Sequence, residues 1–280
     1  MRIISGRQNP AVRVFRTLAS DSPSDGERVL LDGAHLVREA RDAGTSFEIV
    51  AVASSRLARD TEEGRLALAL EQDGVDVVMA PDQLFSAISP VRTPSGIIAV
   101  ARRRPLSASE IGGQPDALLL VAIDVQDPGN LGSLLRAAEA GGIGGVLVCG
   151  TPACGSANPF SWKALRGSMG SALRLPVSAG LDALAALDSL HRTGVRTVAA
   201  VPRDGPDPDA VDWTGSVAVV LGGEGAGLSD EVVAQCRERV TIPMAPRVES
   251  LNVAVAGAVL VYAARRQRLA GTQPVATNRD

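Results

Sequence analysis

The sequence predicts an α/β protein of two domains. A small α/β domain spans residues 1–105, a linker spans 106–116, a larger parallel-sheet α/β domain spans 117–270, and a tail covers 271–280. Three observations carry this reading. A chain of 280 residues exceeds the roughly 100–200 residues of an ordinary domain. Strand-like and helix-like segments alternate along the chain, as a parallel sheet flanked by helices requires. Ala117–Ile123 is a continuous apolar run, the mark of a strand buried on both faces.

The elements follow in order. Residues 9–19 read as a helix opening at Asn9-Pro10, with proline in the first turn where its missing N–H costs nothing. Val29-Leu30-Leu31 is a strand, 34–43 a helix, Phe47–Ala53 a strand, 62–73 a helix and Val75–Met79 a strand. Ile97–Ala101 is another strand, entered through Pro94-Ser95-Gly96. Pro105, Gly112, Gly113 and Pro115 punctuate the linker. Beyond the 117–123 strand come a helix to Ala140, a strand 145–149, a helix 162–171 and a strand 175–177. A helix 181–192, strands 196–201 and 217–221, a helix 230–237, a strand 240–242 and a closing helix 251–268 complete the series. No internal repeat is present.

Composition excludes several classes. Apolar residues make up 45% and charged residues 21%, values of a globular protein rather than a disordered or fibrous one. The N-terminus has no signal-peptide apolar core, and the uncharged stretch 250–264 is too short for a bilayer, so a cytoplasmic, membrane-free protein is expected. Cys149, Cys154 and Cys236 form no C-x-x-C pair and His35 and His191 lack ligand spacing, so no metal site is expected. The net charge of −3 speaks against nucleic acid taken whole. Yet Arg2, Arg7, Arg13 and Arg16 cluster, as do Arg102, Arg103 and Arg104, and arginine forks suit phosphate. With few aromatics, base-stacking platforms must be sparse.

Ligands of parallel α/β sheets gather beyond the carboxyl ends of strands, and three polar segments lie at such ends. The first, 127–136, holds Asn130, suited to N-capping, and Arg136, which points to a different side of a helix that begins at Asn130. The second, Leu221-Gly222-Gly223-Glu224-Gly225-Ala226-Gly227-Leu228, sets an acid among glycines. It is neither a dinucleotide fingerprint nor a phosphate loop, since Leu228 stands where the last glycine belongs and no Gly-Lys-Ser/Thr occurs. The third, 242–254, joins the last strand to the last helix, with Ser250 suited to N-capping and Asn252 in the first turn. No G-x-S-x-G elbow exists, so Ser250 is not read as a hydrolase nucleophile.

Together, Asn130-x-Gly132-x-x-x-Arg136, Gly222-x-Glu224-Gly225-x-Gly227-Leu228 and Ile242-Pro243-Met244 followed by Ser250-Leu251-Asn252-Val253 resemble the three motifs of the SpoU/TrmH RNA ribose 2′-O-methyltransferases. The resemblance covers residues 117–268 and implies a SPOUT-class parallel sheet with a deep trefoil knot. It implies S-adenosylmethionine as cofactor, held by Leu221, Gly222, Gly225, Ile242, Met244 and Leu251. It also implies a reaction site lined by Asn130, Arg136, Glu224, Ser250 and Asn252, and a homodimer paired through the knot. The sequence departs from the family at Gly223, where Asn is frequent, and at Ala254, where Ser is common. Residues 1–105 resemble more loosely the ribosomal-protein-like RNA-binding domain that precedes the knot in ribosomal-RNA members. That pairing implies ribosomal RNA, rather than tRNA, as substrate. A non-catalytic RNA-binding assembly factor and a dinucleotide-dependent oxidoreductase compete with this reading. The intact Asn130, Arg136, Glu224, Ser250 and Asn252 argue against the first, and the missing fingerprint against the second.

Overall fold

The computed structural model describes residues 1–20, 27–58, 60–152 and 154–272, which gather into two units. Met1–Pro105 and Pro159–Arg174 form the first; Leu106–Asn158 and the chain from Leu175 onward form the second. Among the described residues, no helix is long and apolar enough to cross a membrane.

In the first unit, β1 (Arg2–Ile3), β2 (Arg28–Asp32), β3 (Ser46–Ala53), β4 (Val77–Ala80) and β5 (Ile97–Arg102) form one sheet in the order β1-β4-β3-β5-β2. β1, β4 and β3 are parallel, and β5 runs antiparallel between β3 and β2. α1 (Pro10–Ala19) and α4 (Asp82–Ile88) bury Phe15, Leu84, Phe85 and Ile88 against Ile49, Ala51, Val78 and Ile98. The residues between these along the strands face the other way, toward α2 (Ala34–Asp42) and α3 (Glu62–Gln72). Asn9 caps α1 through its side chain and Thr61 caps α3. Two elements are absent from the sequence reading: β1, too short to show a period, and α4.

The segment 159–174 carries α7 (Trp162–Ser168) and α8 (Ser171–Arg174). The sequence reading put this helix with the larger domain, but its packing is with the first unit. Trp162 packs against the α1/α4 core, Arg166 lies 3.6 Å from Asp32, Arg174 pairs with Glu39, and Phe160 lies 3.6 Å under the Arg103 guanidinium.

The second unit is built on a fully parallel sheet of β6 (Leu118–Ile123), β7 (Gly145–Gly150), β8 (Val177–Asp182), β9 (Arg196–Ala200), β10 (Val217–Gly222) and β11 (Glu238–Val240). Their order is β11-β9-β10-β6-β7-β8. The chain therefore runs outward from β6 on one side and on the other returns through β9 before β10 fills the gap. The carboxyl ends of β6 and β10 flank the point where strand order reverses, where α/β sheets bind ligands. α9 (Ala183–Arg192) and α10 (Asp230–Gln235) cover one face through Ala186, Leu187, Leu190 and Val232. α6 (Pro128–Ala140) and α11 (Val253–Thr272) pack on each other, with α11 also on β10. Gly257 permits this approach, because a Cβ there would lie 2.3 Å from Leu134 Cδ1 and 3.0 Å from Leu221 Cδ1.

Where the sequence suggested a linker at 106–116, α5 (Ala108–Gly112) forms under a Ser107/Glu110 capping box and buries Ile111 in the second unit's core. Of the 271–280 tail, Gly271 and Thr272 end α11 and the rest lies outside the described residues.

Candidate active site

The three motifs meet at the switch point. α6 begins at Pro128, and its cap is Asp127, whose side chain accepts from the Asn130 N–H at 2.7 Å. Asn130 is thus not the cap expected from sequence but lies inside the first turn, leaving its side-chain amide free. That amide donates from Nδ2 to Glu224 Oε1 at 2.7 Å, and its Oδ1 accepts from Asn252 Nδ2 at 2.9 Å. The Gln126 N–H donates to Glu224 Oε2 at 3.1 Å. One side chain from each motif is therefore joined in a single chain, Glu224–Asn130–Asn252.

Glu224 stands on the turn after β10. Gly222 is pressed against that turn, since a Cβ on it would sit 2.3 Å from the Gly227 carbonyl carbon. Gly225 and Gly227 take φ of +92° and +69°, backbone that glycine adopts without strain. Burial acts to raise the Glu224 carboxyl, but the bonds from Asn130, its own backbone and Gln126 together hold it below the usual value. It is a carboxylate at neutral pH, acting as an acceptor that fixes its neighbours.

Asn252, rather than Ser250, caps α11, accepting from the Ala254 and Val255 N–H groups at 2.9 and 3.3 Å. The segment from Ile242 to Leu251 crosses from β11 to α11. Its only described backbone hydrogen bond runs from Val248 N–H to Ala245 C=O. Its remaining amides and carbonyls can serve a ligand, beside the buried Leu221 and the half-buried Ile242 and Met244. An adenosine with an amino-acid arm fits such a lining of bare backbone and apolar side chains. Leu251 and Ser250 are exposed on this segment, and neither joins the hydrogen-bonded chain. Arg136 is exposed on α6, about one and two-thirds turns on from Asn130, and within one chain the structure does not bring it to that cluster.

A support the sequence reading missed lies behind the first motif. Asp124, at φ +55°, accepts from Thr151 N–H at 2.9 Å and Thr151 Oγ1 at 2.7 Å. Asp127-Pro128 was legible as a cap followed by a first-turn proline; the Asp124–Thr151 pair joins two strands and had no local signal. Among the described residues no cluster of His, Cys, Asp and Glu could hold a metal.

Residues 117–262, more than half of the chain, match the SpoU rRNA Methylase family. The chain belongs to this family. An uncharacterized tRNA/rRNA methyltransferase of Synechocystis sp. is 32% identical over 97% of this chain and 96% of its own length. The 23S rRNA (guanosine(2553)-2′-O)-methyltransferase RlmP of Bacillus subtilis is 30% identical over 94% of this chain and 98% of its own. An S-adenosylmethionine-bound rRNA methyltransferase of Sinorhizobium meliloti superposes with a TM-score of 0.82 at 25% identity, covering 95% and 98% of the two chains. SpoU membership makes this chain an RNA methyltransferase, and its three motif segments are those that meet at the switch point.

Proposed function

We propose that this protein transfers the methyl group of S-adenosylmethionine to a ribose 2′-oxygen of ribosomal RNA. The observation that carries the reading is the Glu224–Asn130–Asn252 chain, set beside the bare Gly222 turn and the open 242–251 segment. Leu221, Gly222, Gly225, Ile242, Met244 and Leu251 would hold the cofactor, which supplies an electrophilic methyl when bound. The protein's task is to position the 2′-hydroxyl in line and help its proton leave. Asn130, fixed from both sides, and Ser250 offer polar atoms for the hydroxyl and cofactor. Arg136 is charged at any working pH and cannot act as a base. It orients the ribose or adjoining phosphate and stabilises the developing alkoxide, while phosphate or water takes the proton.

A homodimer would bring Arg136 to the cluster of the partner subunit. Val255, Val259 and Tyr262 along α11, with Leu251 just before it, form an exposed apolar stripe that supports pairing through this helix. The crossing of 242–252 from the sheet edge to α11 supports the deep trefoil knot of the SPOUT class. Residues 1–105 serve as the RNA substrate-binding domain, and a ribosomal RNA substrate sets the enzyme in the cytoplasm.

The test is transfer of labelled methyl from S-adenosylmethionine to unmodified ribosomal RNA and, separately, to tRNA. Label is expected in ribosomal RNA, at a linkage resistant to alkaline hydrolysis. Arg136→Ala should abolish transfer while leaving cofactor binding by calorimetry intact, and light scattering should give a dimer. Label in tRNA alone would overturn the substrate, and absence of cofactor binding would overturn the function.

A further inference from the structure

The two arginine clusters of the first unit meet different fates. β1, β2, β3 and β4 all end, and β5 begins, at the same edge of the sheet. At the opposite edge the arginines are occupied. Arg102 pairs with Glu27 and Glu48, Arg28 with Glu48, Arg2 with Asp76 and Arg41 with Asp73, while Arg103 stacks on Phe160.

At the carboxyl edge the pattern reverses. Arg7 stands in the β1–α1 loop, Arg56 after β3 and Arg92 before β5, with Arg13 and Arg16 on the first turns of α1. All five are exposed, and among the described residues none has a carboxylate within ion-pair distance. α1 carries no acid at all. Of the acids of this end, Asp82, Asp32 and Glu62 have partners of their own. Asp82 accepts from Ser54 Oγ, Ser55 N–H and Ser55 Oγ at 3.3, 3.1 and 2.9 Å. Asp32 is buried and accepts from Ser95 Oγ at 3.1 Å, with Arg166 beside it. Glu62 and Glu63 open α3, on the opposite face, where Glu62 pairs with Arg38. An acidic protein thus keeps five arginines without a carboxylate at ion-pair distance on one edge and one helix of a single unit, with Arg56 exerting only a longer-range pull on Asp82.

We propose that this edge, through Arg7, Arg13, Arg16, Arg56 and Arg92, grips the phosphate backbone of the RNA substrate. Guanidinium forks on separate loops and one helix suit a curved polyanion better than a single small anion. With few aromatics in the chain, the grip reads backbone and shape rather than stacked bases. The proposal rests on RNA being the substrate. It adds which surface holds it, and that the Arg102–Arg104 cluster does not.

The test compares the full-length protein with a variant carrying Arg13→Gln, Arg16→Gln, Arg56→Gln and Arg92→Gln, which keeps the Arg56 stem that packs on Gly96. A control carries Arg28→Gln and Arg102→Gln. Filter binding to ribosomal RNA across a salt series and steady-state methyl transfer are both measured. In the quadruple variant the slope of log affinity against log salt should shrink by about three, and the RNA KM should rise about tenfold or more. Turnover at saturating RNA, cofactor affinity and melting temperature should stay as in the parent, and the control should match the parent in RNA binding. An unchanged salt slope in the quadruple variant, or an equal effect in the control, overturns the proposal. If the parent binds ribosomal RNA with this slope yet transfers no methyl, the catalytic reading fails and the surface stands.

Discussion

Replacing Asn130 by Asp exchanges the donating NH2 at the centre of the site for a charged oxygen and changes almost nothing of its shape. The Asn130 amide donates to Glu224 Oε1 at 2.7 Å while its oxygen accepts from Asn252. In Asn130→Asp the second bond survives and the first becomes two carboxylate oxygens face to face. Two unit charges about 4 Å apart repel by about 1 kcal/mol in water and about 4 kcal/mol at the effective dielectric near a protein surface. Since Glu224 is partly exposed, the cost lies between these limits, and about 1.4 kcal/mol is already tenfold in rate if the geometry must be intact. The pair escapes by sharing a proton, so one carboxyl titrates above its ordinary value. The sign follows: the penalty is fully present above that raised value and fades as pH falls through it.

The assay is methyl transfer against pH for the parent, Asn130→Asp and Asn130→Ala, with calorimetric cofactor binding and melting temperature alongside. Asn130→Asp should lose activity and stability most at alkaline pH and regain both on acidification, whereas the Ala variant should lose activity by a factor independent of pH. Adding Glu224→Gln to Asn130→Asp reverses donor and acceptor across the same bond and should restore much of the loss. An Asn130→Asp protein as active as the parent at alkaline pH, or a double variant no better than the single one, would refute the reasoning.

Three further outcomes follow from packing and burial. Gly141 Cα faces α11 so closely that a Cβ would sit 2.0 Å from Val261 Cγ1; Gly141→Val should lower stability by about 1–3 kcal/mol in urea unfolding. Burial, aided by Asp182 and Asp124, pushes the Cys149 thiol up to about 12, and burial pushes Cys236 up to about 11. Near neutral pH, iodoacetamide should therefore label Cys154 well before either, as peptide mapping would show. Burial, then Arg237, holds the His191 imidazole below its ordinary value of 6.5 against the opposing pull of Asp188. The fold disfavours its charged form, so stability should fall as pH drops through that value, and NMR titration should place the native midpoint lower.

Much of this architecture was legible because it is written locally. The run 117–123 is buried along β6, as an uninterrupted apolar strand must be, and Asn9-Pro10 opens α1 with cap and proline in place. What escaped lies where local signal is weak or partners are distant. Strand β11 was placed at 240–242 but spans Glu238–Val240, because an edge strand can carry charges such as Glu238 and Arg239 that hide its pattern. Helix α5 hid in a glycine- and proline-punctuated stretch, its one anchor being the buried Ile111. Segment 159–174 alternates like any crossover, and only its pairing with Asp32, Glu39 and Arg103 shows where it belongs. In the site, residue types and order were legible; the Glu224–Asn130–Asn252 bonds depend on the α6 cap lying at Asp127, three residues earlier than expected.

Gly223 shows how a departure from the family pattern can be fixed by its surroundings. A Cβ there would lie 1.8 Å from the Asp124 carbonyl oxygen, 2.4 Å from its carbon and 2.9 Å from the Val125 nitrogen. These are backbone atoms, and they cannot rotate aside as a side chain would. Asp124 is itself held at positive φ by two bonds from Thr151, and two residues on, the Gln126 N–H grips Glu224. Gly223→Ala should therefore act at the upper end of the about 1–3 kcal/mol expected of overpacking, by moving the strand end that carries Gln126. Cofactor affinity and methyl transfer should fall together. Gly225→Ala is the contrast: it meets nothing within 4 Å and is disfavoured only by its φ of +92°, so its loss should be the smaller. A Gly223→Ala protein with parental activity, or one less impaired than Gly225→Ala, would show that Asp124 yields more easily than its bonds to Thr151 imply.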